Sequence, residues 1–165
     1  MTRQVLAYLG YRGNSADDEV LKMISQAEEE LVSICGPPKS VVGIWEYNLD
    51  FPIKSESLER YMEGAKYIGI FATTLGAGAD MLIRRYEVSD MRRAVITDAV
   101  ASTMVNDHCG TISSKRFSPG YGDFKLEYQA DILKMLDTGK RIGLSLTDSF
   151  MLIPAKSVTG VYIHG

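Results

Sequence analysis

The stretch from Lys115 to Phe124, KRFSPGYGDF, puts two cations, a Pro-Gly turn and three aromatic rings into ten residues. Arg116 carries a planar fork of donors that pairs a carboxylate through two parallel hydrogen bonds. Pro119 fixes its own φ and donates no hydrogen bond. Gly120 tolerates positive φ, so Pro119-Gly120 suits the centre of a type II turn. Gly122 offers a second point where the backbone can approach a neighbour closely. Tyr121 adds a ring face and a hydroxyl. Amides and carbonyls around such a turn can read the edge of a flat heteroaromatic ring. The set suits a small ligand with an anionic end and an aromatic end. It also has the composition of an ordinary surface connection, because loops are rich in Gly and Pro.

Other chemistry is sparse. The chain has no nucleophile elbow, Walker loop, HExxH or CxxC, so no catalytic side chain is expected. LGAGAD (75–80) follows an apolar run. It reads either as a tight strand-to-helix turn or as a fragment of a dinucleotide loop lacking its third glycine. The two cysteines, Cys35 and Cys109, are expected to be reduced and buried. His108 beside Cys109 has no second ligand pair, so no metal site is expected.

The elements that must hold the loop are legible from spacing. RQVLAYLGY (3–11) predicts a short helix. Residues 15–35 predict a long one, with Ser15 as N-cap and Asp18 three residues later. Val20, Leu21, Ile24, Ala27, Leu31 and Ile34 form its apolar stripe, and Gly36-Pro37-Pro38 ends it. Glu28–Glu30 are expected to face solvent. SVVGIWEYNL (40–49) and YIGIFATTLG (67–76) predict strands, the second buried. SESLERYMEGA (55–65) predicts a helix capped by Ser55. Residues 77–88 and 90–108 predict two more, the second buried nearly all round. Residues 125–141 predict one helix with Leu126, Ala130, Leu133 and Leu136 inward and Gly139 past its end. RIGLSLT (141–147), FMLIP (150–154) and SVTGVYIHG (157–165) predict strands. In the last, Val158, Tyr162 and His164 share one face, and Val161 and Ile163 the other.

The closing succession of strands breaks strict βαβ alternation. The order favours an α+β fold, a bent and largely antiparallel sheet flanked by helices. With 165 residues, one domain is expected: a helical segment over 1–40 and an α/β core over 41–165. A formal net charge of −3 and no basic stripe argue against a nucleic-acid partner. No apolar run approaches a membrane span. The first residues are too few and too polar for a secretory signal, so a cytoplasmic location is expected.

Four collinear blocks from about Tyr67 onward resemble the activation (reactivation) domain of cobalamin-dependent methionine synthase. They are KYIGIFATTLGAGAD, the Arg-x-x-x-Gly-Tyr signature as Arg116-Phe-Ser-Pro-Gly-Tyr121, GLSLTDSFMLIP with Asp148 where Glu is usual, and SVTGVYIH. That family binds S-adenosylmethionine. The resemblance implies that Arg116 meets the methionyl carboxylate and that the backbone around Ser118 and Gly120 meets the rest of the ligand. It implies that Tyr121 shapes the pocket, and that Tyr162 and Ile163 form a second binding stretch. The chain departs from the family at Gly122 (usually Pro), at Gly110 (an acid) and at Ser102 (a glutamate). Asp98, one turn before Ser102, is either a substitute contact or a carboxylate bonded within the protein. The resemblance further implies a role in rescuing oxidised cob(II)alamin, with one electron from a flavodoxin-like or other low-potential donor and the methyl group from S-adenosylmethionine. No cobalamin-binding Asp-x-His-x-x-Gly segment is present, so the cobalamin would be supplied by a separate methionine synthase module. The alternative implied is a reactivation or docking module for another corrinoid methyltransferase protein, without S-adenosylmethionine.

Overall fold

A computed structural model describes residues 1–12 and 16–165. In chain order the elements are α1 (Thr2–Tyr8), α2 (Asp18–Cys35), β1 (Lys39–Glu46), α3 (Glu56–Met62), β2 (Tyr67–Thr74), α4 (Ala77–Ser89) and α5 (Met91–Ile112). After the 113–125 loop come a 3-10 turn (Leu126–Tyr128), α6 (Gln129–Leu136), α7 (Thr138–Ile142), β3 (Ser145–Leu146), β4 (Leu152–Ile153) and β5 (Ser157–His164). The fold is α+β. β1, β2 and β5 form an antiparallel sheet with β2 in the centre, and β3 and β4 form a separate two-stranded ribbon.

β2 is buried from Ile68 to Thr74, which explains its unbroken apolar run. One of its faces builds a core with its neighbours. Val41, Ile68, Ile70, Ala72 and Val161 share one face and pack with Leu58, Met62, Phe124, Ile132 and Leu136. A second core lies among α1, α2, α4 and α5, built on Leu6, Ile24, Leu31, Leu82 and Val100. The first helical segment therefore packs on α4 and α5. Fully burying each such side chain contributes roughly 1.5–3 kcal/mol. Among the described residues no helix is long and apolar enough to cross a membrane.

Several expectations are corrected. The cap of α2 is Asp17, whose carboxylate accepts from Val20 N–H at 2.9 Å, while Ser15 lies outside the described residues. Glu30 turns inward and accepts from the Tyr86 hydroxyl at 2.7 Å. Cys35 is only partly buried, and Cys109 is fully buried; both are free thiols. The 125–141 helix breaks at Asp137, which takes φ +53 and separates α6 from α7. Gly143, not Gly139, is the glycine that ends the pair, at φ +67. The inward face of α6 is Gln129, Ile132, Leu133 and Leu136, while Leu126 and Ala130 are exposed. Gln129 goes inside because both ends of its amide are satisfied. It donates to Phe150 O at 2.7 Å and accepts from Thr159 Oγ1 at 2.8 Å. The strands expected over 141–147 and 150–154 shrink to two residues each.

LGAGAD resolves as a strand-to-helix turn. Gly76 takes φ +85 and its N–H donates to Thr74 Oγ1. A Cβ on Gly78 would lie 2.7 Å from Ile34 Cγ2, so that glycine lets α4 seat against the end of α2.

Candidate functional site

The 113–124 loop joins the sheet at one point. Phe117 N–H donates to Val161 O at 2.9 Å, and Val161 N–H donates back to Phe117 O at 2.8 Å. This residue thereby extends the sheet past β5. Backbone alternation then sends Phe117 to the core face and Arg116 and Ser118 to the opposite face. Phe117 stacks between Tyr61 and Phe124, with centroids 5.1 and 5.3 Å away. Ser118 Oγ donates to Thr159 O at 2.8 Å. A Cβ on Gly160 would stand 2.8 Å from the Phe71 ring and 3.0 Å from Ser118 Oγ, so glycine is what lets the loop come this close to β5.

Arg116 is half-buried beside the C-terminal end of α5. Its Nη1 donates to Ser113 O at 2.9 Å, and Nη1 would stand 3.9 Å from a Cβ on Gly110. It forms no salt bridge within the described residues. Its charge reaches the buried Cys109, but desolvation dominates there and holds that thiol above its ordinary pKa. Ser114, Arg116, Phe117, Ser118 and Tyr121 line an open groove of about 400 Å³. Tyr121 is 68% exposed, at the rim, with its ring 6.0 Å from Phe117.

Tyr162 lies on the same sheet face as Arg116 and Ser118. Its ring covers Gly69 so closely that a Cβ there would overlap it. Around it Val42, Ile44 and Tyr67 leave 40–49% of their surfaces exposed, so this end of the sheet face is open and apolar. Ile163 alternates to the other face and does not share the Arg116 side. Arg116, Ser118 and Tyr162 are therefore brought to one face, with Tyr121 at the edge.

Other expected groups sit apart or are engaged. Asp98 pairs with Lys156 Nζ at 2.7 Å, and the same ammonium donates to Ser102 Oγ at 2.9 Å. Asp98 is twelve residues before Gly110 on α5, roughly 18 Å along the helix axis. Gly120 has the positive φ foreseen, +110, but its N–H is already used by Phe124 O at 2.7 Å. Gly122 takes φ +56 and lies against α3, where a Cβ would overlap the Ser57 hydroxyl. Its close approach is thus to a helix of the same chain. Proline cannot adopt that φ.

One participant was missed from sequence. Asp123 Oδ1 accepts from Ser55 Oγ and Ser57 N–H, and Oδ2 from Glu56 N–H, each at 2.8 Å. The Ser57 N–H, then the Ser57 hydroxyl, Glu56 N–H and Ser55 hydroxyl, hold its carboxyl far below the usual range.

Comparisons with known proteins converge on the same stretch. Residues 110–165 match the family model described as vitamin B12-dependent methionine synthase, activation domain. That span holds every expected site residue except Asp98. No curated protein matches the sequence. Among solved structures, the crystal structure of the MetH reactivation domain bound to AdoHcy superposes with a TM-score of 0.72 at 18% identity, covering 98% of this chain and 74% of that one. The chain thus resembles the methionine synthase activation domain on two counts, in fold along nearly its whole length and in sequence over residues 110–165.

Proposed function

We propose that this chain is an S-adenosylmethionine-binding module that supports reductive methylation of cob(II)alamin held by a separate cobalamin-dependent methionine synthase. The observation that carries the reading is Arg116: a half-buried guanidinium beside an open groove, with no carboxylate of the described residues to neutralise it. Such a group is poised for the carboxylate of an incoming ligand. Tyr121 and Tyr162 offer ring faces on either side of the Ser118 segment, suited to an adenine or to a sulfonium cation. Ile163 would contribute through its backbone. The AdoHcy in the solved relative is consistent with this ligand class. The corrinoid, carried by the partner, supplies the nucleophile for methyl transfer after one-electron reduction by a flavodoxin-like or other low-potential donor. The chain's own task is to bind and orient the methyl donor, which fits the lack of a nucleophilic motif. All 165 residues would act as one unit in the cytoplasm.

Calorimetric titration with S-adenosylmethionine tests the binding. Saturable heat that disappears in Arg116→Ala is the expected result, and no heat at high ligand concentration would refute the reading. Loss of the cob(II)alamin spectrum, with a candidate partner and a reductant, tests the role.

A second reading has its own observation. Gly110 supplies no side chain opposite Arg116, and Ser102 is occupied by Lys156. A docking module for another corrinoid protein, without S-adenosylmethionine, would show partner binding but no ligand heat.

A further inference from the structure

We infer that Asp123 is a positioning residue, and that with Gly122 it latches the binding loop onto α3 and so fixes where Arg116 and Ser118 stand. The inference rests on the reading that this loop binds the ligand. α3 holds the loop at both of its ends. At its N-terminal end the Asp123 carboxylate takes three donors from Ser55, Glu56 and Ser57, and Asp123 N–H returns a bond of 3.4 Å to Ser57 Oγ. Near its C-terminal end Tyr61 stacks on Phe117 and donates its hydroxyl to Lys115 O at 3.2 Å. Between these two points the chain carries Arg116, Ser118 and the Pro119-Gly120 turn. That turn is otherwise fixed by Phe117 on β5, Ser118 on Thr159, and the Gly120–Phe124 bond. Without the Asp123 anchor, the Gly120–Asp123 turn loses its polar hold on α3, while Phe124 stays buried in the core and the Phe117 limb stays paired. Asp123 itself does not line the groove, so its effect on a ligand must pass through loop shape. Gly122 is the geometric half of the latch, because a side chain there would push the loop off Ser57.

The test titrates S-adenosylmethionine into the wild-type chain, Asp123→Asn, Asp123→Ala, Gly122→Ala and the Gly122→Ala/Asp123→Ala double variant. Melting temperatures and amide hydrogen exchange over 117–124 are measured alongside. Affinity should fall about tenfold in Asp123→Ala and less in Asp123→Asn, which keeps one acceptor oxygen. Gly122→Ala should reproduce the loss, and the double variant should add little to it. Exchange over 117–124 should accelerate in all of them. Unchanged affinity in Asp123→Ala overturns the inference and leaves the ligand reading intact. Additive losses in the double variant also overturn it. If the wild-type chain takes up no S-adenosylmethionine, the ligand reading fails and hydrogen exchange decides the latch: acceleration in Asp123→Ala supports it, and no change overturns it.

Discussion

Two places on α5, its middle and its C-terminal end, each hold a cation against a small residue, and they differ in what completes the charge. At the middle of the helix, Lys156 is largely buried, and Asp98 and Ser102 satisfy it. At the C-terminal end, Arg116 faces Gly110 and, among the described residues, hydrogen-bonds only the Ser113 carbonyl. The first arrangement is closed, because every charge has its counterpart inside the chain. The second is left open at a groove. A cation left without an anion in a partly desolvated place stabilises nothing by itself, since burial of charge is costly unless it is paired. The difference separates an ion pair that fastens the 154–156 turn to α5 from a guanidinium available to a ligand.

The strongest way to break this contrast is Arg116→Ala. Ligand affinity should fall roughly 30-fold or more, in line with loss of a desolvated charge pair, while the melting temperature stays within a degree or two. Arg116→Lys should keep part of the affinity, since an ammonium offers charge without the fork. A large loss of stability in Arg116→Ala would mean that this place is as closed as the Lys156 pair. Gly160→Ala comes next. Its Cβ must displace the Phe71 ring or Ser118 Oγ, which should cost about 1–3 kcal/mol in denaturant unfolding and weaken ligand by shifting Ser118. Lys156→Ala should cost about 1 kcal/mol or less, because Asp98 is half-exposed, and should leave ligand affinity unchanged. Altered affinity there would join the two places into one site.

The smallest expected effect is that of acid. The Asp123 carboxyl is held below its ordinary range. A depressed folded-state pKa contributes stability that is complete above the unfolded value near ~3.9 and is lost only as pH falls through the folded value. Loop hydrogen exchange, corrected for its intrinsic pH dependence, should therefore be the same at pH 5 and pH 7. A loop that opens between those values would show that some other group controls it.

Much of the frame was readable because its causes are local. The Gly36-Pro37-Pro38 stop, the Ser55 cap and the apolar run of β2 all appear where spacing places them. The inward face of α6 was misread because Gln129 counts as polar until Phe150 and Thr159, distant in sequence, are brought to it. The split at Asp137 has the same character, since a left-handed aspartate is invisible to an apolar period. At the site, the residue types of KRFSPGYGDF were legible, but their division between two faces was not. One pair of hydrogen bonds, Phe117 to Val161 across 44 positions of sequence, decides it. Gly122 and Asp123 read as loop composition because their partners lie 65 and 66 residues upstream at Ser57.

The Phe117–Val161 pairing has one more consequence. β5 is a border strand of the three-stranded sheet, and the loop residue that covers it does so through only two hydrogen bonds. Uncovered borders of a sheet recruit further strands from other molecules. A variant that loosens this loop should therefore also self-associate, visible as concentration-dependent light scattering. The segment that would hold the ligand would at the same time guard this border of the sheet against strand addition.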